Sequence, residues 1–486
     1  MVPGVSEPDP SGRESEARED PPSRADAIAS RERILEAAAA IPDDRRVSMI
    51  EIAAAAGVGR STLYRHFPSR QALERALQAQ EVGTPAQPSD RLTPMPFQVA
   101  GRLGARGPLR LEVTHILDEV PPHLVPDQLV AEARRAGGVP VALYVIDIDG
   151  SRLIRLAGSE DFPRELDAPP ALGPEILPEG LPVFEAQLRN RLPGCVTQPL
   201  WLRGRVIALL LCIGTPLTPL HDIAKQGAAA LELANAYTDS IEATRRRKPT
   251  TPAAEIQQNL FPPRIARIGG GQLAGGLLPT YDVGGDWFDF VENRDGAWLA
   301  IADAAGKGAT AAGLGAAALG SLRAARRSGE DLEGALEVMD ATVRGLGNPA
   351  FYVTALVARW RAATSTFTWV NCGHPHAFIV GVDGSVDELG ELVHPALGAP
   401  DNDEATFTTT SRQLASKERL ILVTDGITER RTAGGGSFGI DGIREAVAAV
   451  EEVTAAGTAI AILQRVTDCW HERLEDDGTV VVLCVD

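Results

Sequence analysis

Four aspartates constrain this chain more than any other feature, because each stands where an apolar stretch meets a glycine. Asp286 follows a glycine pair in "VGGDWFD" and Asp303 sits in "IADAAGKG". Asp425 ends the apolar run of "RLILVTDGITE", and Asp476 precedes the run of "DDGTVVVLCVD". Short runs rich in Val, Ile and Leu, bounded by turn residues, read as buried strands. Glycine weakens a strand, so its recurrence beside the acids marks bends or close backbone approach. A buried carboxylate is costly to desolvate, and several together repel one another and rise in pKa. A divalent cation removes both penalties, and oxygen-only ligation points to Mg²⁺ or Mn²⁺. Singly, each acid also has an ordinary reading: Asp425 as a turn residue, Asp476 and Asp477 as a solvated loop, Asp289 as a cap or surface residue that supports its neighbours. The set carries the metal reading.

The rest of the composition bounds the classes. The 486 residues suffice for about three domains, and a net charge of −18 argues against a chain that coats nucleic acid throughout. Five cysteines lie far apart with no C-x-x-C pair, which fits a reduced, cytoplasmic protein. No run approaches a membrane span, and the polar, Pro-rich N-terminus does not read as a signal peptide.

Composition shifts divide the chain. Residues 1–28 are charged and Pro-rich and read as a disordered tail. Residues 82–108, with "GTPAQPSDRLTPMPF", read as a linker, and "RRRKPTTP" at 245–252 reads as a further break. Three folded blocks remain: 29–81, 109–246 and 250–486.

In the first block Ile34, Ala38 and Ile41 share a helical stripe. Ser48 caps a second helix carrying Ile52, Ala53 and Ala56. Gly57 breaks it, and a further helix near 60–67 buries Leu63 and Phe67. This is a helix-turn-helix pattern. Its last helix offers Arg60, Ser61, Thr62, Tyr64 and Arg65 to phosphates and base edges, with Arg70 and Arg75 nearby. The stretch "EIAAAAGVGRSTLYRHFPSRQAL" resembles the TetR-family DNA-binding domain over about fifty residues. The long helical ligand-binding domain of that family does not follow. Such modules bind DNA as symmetric pairs.

The middle block has helical patterns at 109–121 and 126–138, then "PVALYVIDIDGSRLIRLAG", an alternating hairpin around the Asp149–Gly150 turn. "CVTQPLWLRG" and "RVIALLLCIG" form a second hairpin. This order resembles a GAF domain, an α/β sensor fold whose small-molecule ligand the residues do not name. Ile223, Gly227, Ala230, Ala234, Tyr237 and Ile241 then recur at spacings of four and three. That stripe packs on its own domain or pairs two chains as a homodimer.

In the third block the motifs "EIQQNLFPP", "VGGDWFD", "IADAAGKGATAA", "FYVTAL", "NCGHPHAF", "VTDGITE", "FGIDGI" and "DDGTVVV" follow in order. Together they resemble the SpoIIE-type branch of the metal-dependent (PPM) protein phosphatases. The resemblance implies an α+β fold, a two-sheet β-sandwich flanked by helices, with two divalent cations at one end. It implies Asp303 as their bridging ligand, the Ala304 carbonyl, Asp425 and Asp476 as further ligands, and Asp286 on a metal or its water. Gly284 and Gly285 would let the backbone bend near the ions. Ala305 replaces a histidine of the eukaryotic branch, so water would protonate the leaving group. His374 reads as a packing residue and Lys307 as a solvated lysine.

The expectation is a multidomain phosphoserine/phosphothreonine phosphatase gated by its N-terminal blocks. In this branch the implied substrate is a phosphorylated anti-anti-sigma (STAS) protein. The alternative is a TetR-like DNA-binding regulator whose C-terminal block is only a receiver.

Overall fold

The computed structural model describes residues 24–40, 49–58, 62–63, 66–67, 73, 120–279, 284–390, 392–400, 406–450, 453–469, 474 and 476–486. The chain forms two compact units, 1–104 and 105–486. Among the described residues no helix is long and apolar enough to cross a membrane.

The first unit contains α1 (Arg24–Ala39) and α2 (Met49–Ala55). Ile34, Leu35, Ile52, Ala53, Leu63 and Phe67 form its core; of the expected stripe Ile34 is buried and Ala38 is half-buried against that core. Gly57, at φ +64°, ends α2 in the left-handed conformation. Of the five residues expected to face DNA, only Thr62 is described; it is helical and half-buried. Arg60, Ser61, Tyr64 and Arg65 lie outside the described residues, as do Ile41, Ser48, Arg70 and Arg75 and the helical pattern at 109–119.

The second unit begins with α3 (Val125–Gly137), which matches the pattern expected at 126–138. Seven strands follow: β1 (Val141–Ile146), β2 (Arg152–Gly158), β3 (Glu165–Asp167), β4 (Ala171–Leu172), β5 (Glu175–Ile176), β6 (Cys195–Leu202) and β7 (Arg205–Ile213). All their pairings are antiparallel, with β3-β2-β1-β7 in order and β6 and β5 both on β7. Helix α4 (Leu181–Arg191) covers one face; α3 and α5 (His221–Asn235) cover the other. Both expected hairpins form, with Gly150 at φ +76° in the first turn. The alternation expected along β1 does not hold: all six of its side chains are buried. Leu143 and Val145 face α3 and α5, while Ala142, Tyr144 and Ile146 face the α4 side. A strand covered on both faces reads as a continuous apolar run.

The stripe from Ile223 to Ile241 does not form one continuous helix. Helix α5 stops at Asn235, and Ile241 lies on the short α6 (Ser240–Arg245). Ile223, Gly227, Ala230 and Ala234 are buried within the chain, and Tyr237 between the helices is 78% exposed. The small residues admit α3: a Cβ at Gly227 would stand 2.5 Å from Leu129.

The stretch 245–252 is a clasp rather than a loose tether. Arg246 forks onto Glu255 at 2.8 and 2.9 Å and also reaches Glu242, and Arg247 pairs with the fully buried Asp147.

Helix α7 (Pro252–Leu260) then leads into a sandwich. One sheet runs β10 (Trp287–Asn293), β11 (Gly296–Ala304), β12 (Val353–Arg361), β13 (Thr366–Cys372) and β16 (Val393–His394), with β17 (Thr410–Gln413) also on β13. The other runs β15 (Val386–Glu388), β14 (Phe378–Val380), β18 (Arg419–Val423), β19 (Gly478–Val485), β9 (Gly271–Leu278) and β8 (Ile265–Ile268). Helices α8 (Gly308–Ser328) and α9 (Leu332–Gly345) cover the first sheet. After the short α10 (Asp425–Thr428), α11 (Gly439–Ala448) and α12 (Ala455–Asp468) cover the second.

Period-two burial explains the layers. Val481 and Leu483 of β19 join Leu299 and Ile301 of β11 between the sheets, whereas Val480 and Val482 face α11 and α12. Both faces are covered, hence the unbroken "TVVVLCV" and "RLILV".

Candidate metal centre

Antiparallel pairing brings the acids to one end of the sandwich. Asp303 is the penultimate residue of β11, beside the strand start at Val353. Val423, the last residue of β18, pairs with Val480, and Gly478 pairs with Leu278 at the end of β9. Asp425 and Asp476 flank these strand ends. Asp425 is not the end of its strand: Thr424 intervenes and Asp425 opens α10.

Asp286 is the most enclosed of the four, 2% exposed. Its Oδ2 accepts hydrogen bonds of 2.7 Å from the hydroxyls of Thr424 and Thr479. Burial, then the neighbouring charges of Asp303 and Asp477, push its carboxyl well above the usual range. Asp303 is pushed up to about 7 by burial and by Asp425 and Asp476. Asp425 is raised by burial, Asp476 and Glu429. The charges acting on these three acids are thus other carboxylates, the pattern a cation would relieve.

Asp477 is a site residue that the sequence pattern did not single out. It is buried, while Asp476 is exposed. Its Oδ2 accepts the Gly284 N–H at 2.6 Å and the Gln257 amide at 3.4 Å. Burial raises its carboxyl to about 6, against these hydrogen bonds. Gln257 also donates to the Asp286 carbonyl at 2.6 Å. The signal available was the doubled aspartate; nothing in the sequence ties it to a glutamine 220 positions away.

The glycines serve close approach. A Cβ on Gly285 would lie 2.1 Å from the Ala304 carbonyl oxygen, and one on Gly426 1.8 Å from the Asp477 carbonyl oxygen. Neither position accepts alanine without backbone movement. Asp289 points away from this cluster: it pairs with Arg323 at 2.8 Å and Arg326 at 3.0 Å and so ties β10 to α8. His374 is buried in packing, bonded through Nδ1 to the Thr354 hydroxyl at 3.0 Å. Burial lowers its imidazole to about 3.

Asp425 and Asp476 line a cavity of about 330 Å³ together with Lys307, Glu429, Arg430 and Arg431. Among the described residues no three His, Cys, Asp or Glu side chains close into a cage for a metal ion. The donor set is nonetheless all oxygen and mutually repelling. It fits hard divalent cations that keep part of their water shell.

Residues 293–486 match the family model described as Stage II sporulation protein E (SpoIIE). Residues 293–486 are a SpoIIE-family domain. Residues 44–77 match the model of the bacterial regulatory proteins of the tetR family, in keeping with the helical first unit. Phosphoserine phosphatase RsbU of Bacillus subtilis (strain 168) is 24% identical over 184 residues, covering 38% of this chain and 54% of its own. Protein IcfG of Synechocystis sp. (strain ATCC 27184 / PCC 6803 / Kazusa) is 25% identical over 227 residues, covering 40% and 35%. The chain therefore spans about half the length of the first relative and about a third of the second. Among solved structures, the PP2C phosphatase domain and regulatory-domain fragment of SpoIIE from Bacillus subtilis overlaps 77% of this chain and 92% of its own, at 14% identity and a TM-score of 0.39. The SiaA-PP2C domain of Pseudomonas aeruginosa overlaps 48% and 94%, at 18% identity and a TM-score of 0.41.

Proposed function

We propose that the chain is a divalent-metal-dependent phosphoserine/phosphothreonine protein phosphatase. The observation that carries this reading is the acid end of the sandwich, where Asp303 is driven to about 7 by burial and then by its carboxylate neighbours. Asp303, Asp425, Asp476 and the Ala304 carbonyl would hold two ions, Mn²⁺ or Mg²⁺. When bound, the ions supply an activated water and neutralise phosphate charge. Asp286, fixed by Thr424 and Thr479, would orient the water on one ion. Lys307, Arg430 and Arg431 line the same cavity and favour an anionic substrate. No side chain need act as nucleophile.

The substrate reading is a phosphorylated anti-anti-sigma (STAS) protein in partner-switching control of transcription, in the cytoplasm. It rests on the match to an RsbU phosphoserine phosphatase. Residues 109–246 would act as a GAF-like sensor. Their contact with the catalytic domain supports gating: Leu172 and Leu177 share a core with α12, and Glu175 accepts the Ile265 N–H at 2.8 Å. The TetR-like module would bind DNA through Arg60, Ser61, Thr62, Tyr64 and Arg65, most effectively as a homodimer.

The test is Mn²⁺-dependent hydrolysis of para-nitrophenyl phosphate and of a phospho-STAS protein by the full chain. Turnover equal to that of an Asp303→Asn control would end the enzyme reading and leave the DNA-binding regulator. A mobility-shift experiment with Arg60 and Tyr64 replaced tests the first unit; unchanged binding would remove the recognition-helix assignment.

A further inference from the structure

A second cavity, of about 550 Å³, opens where the seven-stranded sheet meets the sandwich. Part of its lining is apolar: Pro170 and Leu172 from one side, Leu278, Ile460 and Leu463 from the other. Into this lining the chain places Arg264, which is only 5% exposed. Its guanidinium stacks on the Phe261 ring at 3.8 Å, and Nη2 donates to Gln258 Oε1 at 3.0 Å. Nη1 is buried without a hydrogen-bond partner, and so is Nε2 of Gln258, which also lines the cavity. Burial lowers the Arg264 guanidinium to about 10, against the nearby charge of Glu175.

That charge is already engaged. Glu175 binds Arg205 through Oε1 and the Ile265 N–H through Oε2. Asp149 on the cavity wall is held by Arg247 and Ser151, and Asp468 stands at the exposed rim. Among the described residues, no carboxylate forms an ion pair with Arg264. A buried guanidinium nitrogen, Nη1, and a buried amide nitrogen, both lacking acceptors, are expensive unless something supplies oxygen. Guanidinium geometry suits a carboxylate in particular.

We propose that this seam cavity binds a small monocarboxylate with an apolar body, its carboxylate on Arg264 and Gln258 and its body among Leu172, Ile460 and Leu463. The volume lies within the ordinary range for small-molecule sites. Gln258 is one residue from Gln257, which holds the Asp286 carbonyl and Asp477. The strand lining the cavity, β9, pairs with β19 at Leu277–Thr479, and Thr479 binds Asp286. The ligand would therefore sit against the two elements that support the acid end.

The test is isothermal titration of the full-length chain with octanoate and, separately, octan-1-ol. Binding is read directly, so its outcome is independent of phosphatase activity. Octanoate should saturate one site and bind at least about tenfold more tightly than octan-1-ol, the increment of a charge-assisted hydrogen bond. Arg264→Met should abolish that preference. Thr467→Trp, at an exposed position on the cavity wall, should block both compounds while leaving the thermal melt unchanged. If Arg264→Met does not fold, the acid-against-alcohol contrast and Thr467→Trp decide. Equal binding of acid and alcohol, absence of saturable octanoate binding, or undiminished binding in Thr467→Trp would each overturn the proposal.

Discussion

Buried carboxylates occur at two kinds of place in the second unit. Along the seams, Asp147 meets Arg247, Glu175 meets Arg205, and Asp289 meets Arg323 and Arg326. At the end of the sandwich, the charges acting on Asp286, Asp303 and Asp425 are those of other carboxylates. The seam acids are supplied with cations by the chain itself. The acids of the sandwich end are supplied with hydroxyls, amides and further acids. The same residue type thus serves as a paired strut in one setting and as a member of a mutually repelling cluster in the other. A substitution that neutralises an acid should therefore act with opposite sign on stability in the two places.

Asp303→Asn is the strongest way to break this contrast. Metal-dependent phosphatase turnover should fall at least about a thousandfold, as for loss of a central catalytic group. In chelator, however, the variant should be more stable than wild type, by on the order of 1–3 kcal/mol after discounting for partial exposure. The raised acid sets the sign. Its folded pKa lies above the ordinary value, so metal-free wild type loses stability as pH rises from about 4 to about 7. Urea titrations with chelator across that window should show the gap between variant and wild type widening. Mn²⁺ should then stabilise wild type and not the variant. A metal-free variant less stable than wild type at pH 7 would remove the frustrated-acid account.

Asp289→Asn probes the other setting. It leaves the guanidinium groups of Arg323 and Arg326 without their counter-charge beneath β10. The expected cost is about 3 kcal/mol or more by urea unfolding, with or without metal, since breaking one partner of a buried pair is severe. A gain like that of Asp303→Asn would erase the distinction.

His374 titrates in the opposite direction from Asp303. Its folded pKa is depressed to about 3, so the stability it contributes is complete above about 6.5 and is lost as pH falls toward 3. At pH 4 the loss is on the order of 3 kcal/mol. His374→Gln should lack this component while being less stable than wild type at pH 7, where the bond to Thr354 is missing. Parallel stability–pH curves for the two proteins would contradict the burial assigned to the ring.

How much of this was legible in the sequence differs between the same two settings. That Asp286, Asp303, Asp425 and Asp476 lie near strand ends could be read from apolar runs and glycines, because strand period and turn chemistry are local; that Asp425 opens a helix after Thr424 could not. The struts could not. Asp289 read as a cap or surface acid because its partners lie on a helix more than thirty residues on. Gln257 and Asp477 meet only when α7 is laid across the end of β19. The stretch "RRRKPTTP" looked like a break because prolines and charges mark linkers, and its arginines gain meaning only against Asp147 and Glu255. The stripe through Ile241 has helical spacing, yet the chain interrupts the helix after Asn235, a choice that packing rather than periodicity decides.

The smallest effect is the finest test, because it uses one helix and one added methyl group. Gly313 and Gly315 both lie in α8, two positions apart and on different sides. Nothing stands within 4 Å of a Cβ built on Gly313, whereas one on Gly315 would lie 2.9 Å from Trp287 and 3.3 Å from the Gly285 carbonyl. Gly313→Ala should gain up to about 1 kcal/mol from helix propensity alone. Gly315→Ala gains the same propensity but pushes Trp287 and the Gly285 segment, the backbone that carries Asp286. Overpacking of this kind costs about 1–3 kcal/mol, so its net effect should be destabilising. It should also weaken Mn²⁺ stabilisation, measured by thermal melts with and without metal, while Gly313→Ala leaves it unchanged. Equal effects from the two substitutions would mean that α8 does not hold the acid end in place.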